Sequence, residues 1–351
     1  SAASDVYKRQ LIGDTFSIKI LYNSLMKILD VENLNLGFSC ENGFYQALHN
    51  VSFSLKKGEM LALVGESGCG KTLSAMSVMQ LLPKTAVITS GKIFFNGQNI
   101  LKQSCKEIQK IRGAKIALIP QDPMTSLNPL FTVGEQLLEV IKIHQHLKGK
   151  AAWKKAVEAF EEVQIPEAEK RLKSYPHEFS GGMKQRAIIA MALACNAEIL
   201  IADEPTTALD VTIQAQIMNL LEQIKNDRKT AILLITHDLA LVREHADKVA
   251  VMYSGRIVES APAKEFFEHP NHPYSLALLN SIPANRNKTL DTITGQPPSI
   301  QQIIEGCKFH PRCKNCMEIC TEKVPPEYTA GQNHVSCLLY TSPSPRDMRR
   351  S

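Results

Sequence analysis

The stretch GESGCGKT, residues 65–72, decides the fold. It fits G-x-x-x-x-G-K-[ST] and lies between the apolar run MLALV (60–64) and LSAMSVMQLL (73–82), whose helical spacing runs up to Pro83. Strand, glycine-rich turn and helix in that order give the pattern its physical meaning. Gly68 and Gly70 let the backbone curl so that its N–H groups face phosphate oxygens, and the helix N-terminus adds partial positive charge. Lys71 supplies a mobile cation for β- and γ-phosphates, and the Thr72 hydroxyl can ligate Mg²⁺. Gly65, Ser67 and Cys69 complete the loop.

Downstream, ILIADE (199–204) sets two carboxylates just after a buried strand pattern. On one sheet with Lys71, Asp203 can hold Mg²⁺ and Glu204 can orient and polarise an attacking water. His237, in LLITHD (233–238), and Gln121, after IALIP (116–120), also follow apolar strand runs. Alone, either reads as an ordinary strand-end residue. FSGGMKQR (179–186) places Ser180, Gly181 and Gly182 at the head of a helical run, a second anion site of the same physics as the first. One nucleotide does not need two such sites from one chain. Two chains arranged head-to-tail do, each offering its second site to the nucleotide held by the other's first.

Strand runs ILIADE and AILLITHD flank a helical stretch at 211–227, the spacing of parallel βαβ units. Residues 133–195 hold amphipathic helical patterns such as VGEQLLEVIKIHQHL (133–147) and KKAVEAFEEV (154–163). Beyond about 260 the pattern breaks into Pro- and Asn-rich connections, and a domain boundary is expected there. No run approaches the roughly 20 apolar residues of a membrane-spanning helix. The ends, SAASDVYKRQ (1–10) and CLLYTSPSPRD (337–347), resemble in-frame translations of a transposase-type sequencing adapter. Residues 1–10 and 338–351 are therefore expected to be scars, and 11–25 read-through ahead of a start at Met26. Lys8, Arg9 and Asp5 carry a net +1 and Arg346, Asp347, Arg349 and Arg350 a net +2, leaving +2 of the formal +5. No charge excess of the nucleic-acid-binding kind remains.

From about 26 to 260 these motifs, in this order, resemble the ATPase subunits of ABC transporters. The resemblance implies a P-loop NTPase of α/β class: a mixed sheet with helices, an antiparallel β subdomain, and a helical subdomain near 122–195. In its terms GESGCGKT is the Walker A motif, Gln121 lies in the Q-loop and also reaches Mg²⁺, FSGGMKQR is the signature, and Asp203-Glu204 close Walker B. Ala208, Leu209 and Asp210 fall in the D-loop, and His237 is the switch histidine. An aromatic ahead of Walker A is expected to stack on adenine, Tyr45 first, with Phe44 and Phe38 as rivals. IPQDPMTSLNP (119–129), YPHEFSGGMKQR (175–186), HPYSLALL (272–279) and GCKFHPRC (306–313) narrow the resemblance to the oligopeptide/dipeptide-importer branch. Met124 and Met183 favour its D-type subunit; Cys69, Thr72 and Cys316 depart from the usual residues.

The resemblance implies an ATPase that drives peptide uptake from the cytoplasmic face of the cell membrane, held there peripherally. Implied partners are an F-type ATPase sibling, two transmembrane permease subunits docking near Gln121, and an extracytoplasmic peptide-binding protein; nucleic acid is not among them. An importer of nickel or another small solute in the same branch stays open. A soluble ABC-type ATPase acting on ribosomes or DNA would show two cassettes or a long coiled coil, and this chain shows neither.

Five of the nine cysteines fall between Cys307 and Cys337. Four thiolates suit Zn²⁺ or a [4Fe–4S] cluster, and spacing does not choose between them. A disulfide set and a metal-free cysteine-rich loop are the other readings. The branch resemblance implies a [4Fe–4S] cluster on Cys307, Cys313, Cys320 and Cys337, with Cys316 spare. The extension, 261–337, is expected to be a clamp that leaves nucleotide binding alone.

Overall fold

The computed structural model describes residues 27–41, 43–207, 209–281, 293–302, 304–330 and 333–340. The expectations for 1–25, Met26, Ala208 and 341–351 lie outside the described residues. The described residues form two sheets. Strands β1 (Lys27–Cys40), β2 (Gly43–Lys56), β4 (Ala86–Phe95) and β5 (Gln98–Asn99) make an antiparallel sheet ordered β2-β1-β4-β5. The larger sheet is ordered Tyr328–Ala330 (β11), Asn333–Val335 (β12), Arg256–Pro262 (β10), Lys248–Tyr253 (β9), Met60–Val64 (β3), Ala231–Thr236 (β8), Ile199–Asp203 (β7) and Ile116–Ile119 (β6). In it β3, β6, β7, β8 and β9 pair in parallel. Every residue of β3, β7 and β8 is buried, as expected where both faces of a parallel sheet are covered.

Helices Val133–Gln145, Gly149–Glu162 and Gly181–Ala194 pack together on one side of this sheet. The first is started by a capping box, in which Thr132 Oγ1 accepts from Glu135 N–H while the Glu135 carboxylate accepts from Thr132 N–H. A second core joins the opposite sheet face to the antiparallel sheet and to helix Lys71–Met79. That helix stops short of Pro83, because Gln80 turns left-handed (φ 51°) and its N–H bonds the Met76 and Ser77 carbonyls.

The boundary expected near 260 falls within strand β10 (Arg256–Pro262). Beyond it the chain returns to the same sheet: β12 (Asn333–Val335) pairs with β10, and β11 (Tyr328–Ala330) pairs with β12. Phe309, buried in the extension, lies against Tyr253 and Tyr274 with ring centroids 5.2 and 5.3 Å away. The Tyr253 pair is edge-to-face and the Tyr274 pair tilted, contacts that add to the roughly 2–3 kcal/mol of burying each ring. Residues 338–340, expected to be scar, form a 3₁₀ turn in which buried Leu338 precedes Tyr340, whose hydroxyl donates to the Asn271 carbonyl (3.0 Å).

Candidate nucleotide site

The glycine-rich loop leaves β3 at its C-terminal end, where parallel sheets place ligands. Gly65, Gly68 and Gly70 all have positive φ (148°, 78° and 106°). At Gly65 a Cβ would stand 2.1 Å from the Met252 carbonyl oxygen, so no side chain fits; at Gly68 it would meet open space. Lys71 is buried, and its Nζ donates to the carbonyls of Gly65 (2.9 Å) and Glu66 (3.0 Å). The ammonium is thus held within the loop. Cys69 is buried beside it, and burial pushes its thiol up against the opposing pull of Lys71.

Thr72 Oγ1 donates to Asp203 Oδ1 (3.2 Å) at the end of β7. Burial raises the Asp203 carboxyl above its usual range, offset in part by the Thr72 hydrogen bond and by Lys71. A hydroxyl and one carboxylate fit Mg²⁺, which takes few protein ligands and leaves the rest to phosphates and water. Glu204 follows in the left-handed region (φ 47°), its N–H locked onto the Ile235 carbonyl of β8 at 2.8 Å. This uncommon backbone aims the carboxylate at three groups. Gln121 Nε2 and Thr207 Oγ1 each donate to Oε2 at 3.0 Å, and His237 Nδ1 lies 3.3 Å from Oε1. The structure therefore brings Lys71, Thr72, Gln121, Asp203, Glu204 and His237 together.

Ser67, Gly68, Gly70, Lys71, Thr72, Gln121 and Glu204 line a cleft of ≈ 550 Å³. Among the described residues that line it is Phe38, one of the two rivals to Tyr45, while Tyr45 itself is not among them. The two are cross-strand partners in the β1–β2 ladder, so they share a face and pattern alone could not separate them. Sequence reasoning also missed His49, Ser254, Gly255, Gln302 and Lys308, which line the same cleft. The last two come from the extension, and no local signal links them to the loop.

Ser180, Gly181, Gly182 and Asp210 are not among the described residues lining this cleft. They sit together elsewhere. Ser180 caps helix Gly181–Ala194 by accepting from Met183 N–H (3.3 Å), and Asp210 caps helix Val211–Arg228 by accepting from Ile213 N–H (3.0 Å). A Cβ at Gly182 would lie 2.8 Å from Ile213 Cγ2, so the two caps are in contact.

The extension's thiols share a neighbourhood. Cys307 N–H donates to the Cys320 carbonyl (2.9 Å), and Cys320 and Cys337 are buried. Burial pushes the Cys307, Cys313 and Cys337 thiols up, and each is raised further by other cysteines of the group. Yet among the described residues no three His, Cys, Asp or Glu side chains are arranged to hold a metal ion. Neither the [4Fe–4S] cluster nor Zn²⁺ gains support from this arrangement.

Residues 48–207 match the ABC transporter family, and residues 258–320 match the oligopeptide/dipeptide transporter C-terminal region. A probable peptide ABC transporter ATP-binding protein of Sinorhizobium fredii is 49% identical over 85% of this chain and 90% of its own length. The oligopeptide transport ATP-binding protein of Escherichia coli is 47% identical over 91% and 95%, and the dipeptide transport ATP-binding protein of Bacillus subtilis 47% over 89% and 95%. Among solved structures, an ATP-binding cassette dimer bound to ADP and phosphate superimposes with a TM-score of 0.60 (26% identity; 67% of this chain, 98% of that one). Motif order, site geometry and near-half identity over almost the whole chain agree: it belongs to the ATP-binding subunits of ABC transporters, in the group that carries the oligopeptide/dipeptide transporter C-terminal region.

Proposed function

We propose that this chain is the ATP-hydrolysing subunit that energises uptake of di- and oligopeptides through a membrane ABC importer. The observation that carries the reading is the convergence of Gln121, Thr207 and His237 on Glu204, beside the Thr72–Asp203 pair and Lys71. Glu204 is the base that takes the proton of the attacking water, Gln121 and Thr207 hold that carboxylate, and Lys71 and His237 stabilise charge on the transferred phosphoryl group. Thr72 and Asp203, with Gln121 near them, would hold Mg²⁺, which neutralises phosphate charge when bound. Phe38 stacks on the base.

The signature caps, Ser180 to Gly182 with Asp210, lie outside the cleft of their own chain, which supports completion of each site by a partner ATPase arranged head-to-tail. An F-type sibling is the partner proposed. Met124, Leu130 and Phe131 are 58%, 79% and 51% exposed just after Gln121, an apolar patch suited to a permease subunit. No helix among the described residues is long and apolar enough to cross a membrane. Attachment at the cytoplasmic face therefore runs through the two permease subunits, with substrate delivered by an extracytoplasmic peptide-binding protein. For the extension we infer a metal or [4Fe–4S] site on Cys307, Cys313, Cys320 and Cys337, a reading that rests on the clustering of these cysteines in the sequence and not on the placement of their side chains. Elemental analysis of anaerobically purified protein tests it: about four irons per chain is expected, one zinc replaces iron, and neither rejects the site.

The test of the function is uptake of labelled dipeptide and tripeptide by cells or vesicles holding the complete transporter. Lys71→Ala should abolish uptake and hydrolysis together, because the loop loses its cation. Full hydrolysis by that variant removes the site assignment. Nickel uptake in place of peptide uptake moves the substrate to the alternative and leaves the ATPase intact.

A further inference from the structure

The extension was expected to leave nucleotide binding alone, yet it grips the phosphate loop at a residue that the motif leaves unspecified. Glu66 is held at every polar group. Arg312 presents both guanidinium nitrogens to its carboxylate, Nη1 to Oε2 at 2.7 Å and Nη2 to Oε1 at 2.9 Å. The Glu66 N–H donates to Tyr274 Oη (3.0 Å), and the Glu66 carbonyl accepts from Lys71 Nζ (3.0 Å). Both extension residues are anchored in turn. Arg312 sits in the 3₁₀ turn His310–Arg312, its side chain is 5% exposed, and it also donates to the carbonyls of Thr294 (3.0 Å) and Gly295 (3.1 Å). Tyr274 is fully buried against Tyr253, at 4.6 Å between ring centroids.

We propose that Arg312 is a positioning residue of the ATPase site, acting through Glu66 on Lys71 and on the charge of the phosphate loop. A fork-to-fork pair fixes the carboxylate in plane as well as in distance, which a lone ammonium would not do. It also cancels an anion that the loop would otherwise present to a polyphosphate. Two consequences differ in sign. Without Arg312, the free Glu66 carboxylate repels the phosphates; without the Glu66 charge, the Arg312 cation attracts them. This rests on the nucleotide-site reading, so binding of MgATP by the unaltered chain is measured first; no binding there overturns that reading itself.

The experiment measures the MgATP dissociation constant of the full chain, its melting temperature, and turnover in the assembled transporter. Arg312→Gln should weaken MgATP on the order of tenfold, and Glu66→Gln should tighten it by about threefold, at low salt. The double variant should return to within about threefold of the unaltered chain, since the charges leave together. Raising the salt should shrink both single effects. Arg312→Lys, which keeps charge and loses the fork, should fall between. If Arg312→Gln does not fold, Arg312→Lys with and without Glu66→Gln carries the test in the same directions. A purely structural Arg312 would lower the melting temperature in every variant, with no opposite-signed affinities and no recovery in the double variant. That outcome, or an unshifted MgATP affinity in Arg312→Gln, overturns the proposal and leaves the ATPase reading standing.

Discussion

The histidine at the base of this grip makes the molecule acid-sensitive in a calculable way. His272 is 2% exposed and caps helix Pro273–Asn280, with Nδ1 accepting the Tyr274 N–H at 3.0 Å. Burial lowers its pKa from 6.5 to about 4, only partly offset by a hydrogen bond with the Ser336 backbone. The folded state thus keeps the ring neutral where the unfolded chain would protonate it. Unfolding takes up a proton between these values, so stability rises with pH across the window. The contribution is complete above 6.5 and is lost as pH falls through about 4. At about 1.4 kcal/mol per pH unit the gap amounts to roughly 3 kcal/mol, a large part of a typical stability. His272→Asn keeps a side-chain acceptor for the helix start and removes the titration. Urea unfolding of both proteins between pH 7.5 and 4 should show the unaltered chain losing roughly 3 kcal/mol more than the variant. His49, lowered to about 4 by burial and by Arg256 and Lys308, is present in both and cancels. Parallel stability profiles would refute the reasoning.

Three further outcomes follow from the cleft. Glu204→Gln keeps an oxygen for Gln121 and Thr207 but cannot take a proton, so turnover in the assembled transporter should drop by about 10²–10⁴ with MgATP affinity unchanged; normal turnover removes Glu204 from the mechanism. Phe38→Ala should weaken ATP binding by about 5- to 100-fold, a stacking contribution of about 1–3 kcal/mol, and Tyr45→Ala far less; equal losses would return the choice between the two rings to the open. Because the signature caps lie outside the cleft, a dilute monomeric sample should hydrolyse ATP poorly and gain activity on addition of the partner ATPase, measured by phosphate release across a dilution series. Concentration-independent full activity would contradict the composite site.

How far the sequence could be read depended on how local each constraint is. GESGCGKT was legible because phosphate geometry demands glycine at positive φ, and Gly65, Gly68 and Gly70 meet that demand within six residues. Gln121, Asp203, Glu204 and His237 were legible as strand-end polar residues, since a parallel sheet brings the C-terminal ends of its strands to one edge. The left-handed turn that aims Glu204 was not, because glutamate carries no preference for it; the Ile235 carbonyl imposes it from the neighbouring strand. Phe38 and Tyr45 were indistinguishable for a reason of period: residues paired across a ladder face the same side. The extension left the least trace. Cysteine spacing speaks only of neighbours within it, whereas strand β12 joins the main sheet and Arg312 closes on Glu66 across 246 residues of sequence. An ion pair at that separation leaves no periodic trace. It is recorded only as an acidic residue in a loop where the pattern allows any residue, and an arginine between a proline and a cysteine. A buried arginine needs its carboxylate, and a carboxylate beside a phosphate site needs its arginine. Each explains the other's presence, and together they make the extension part of the machinery that binds the nucleotide.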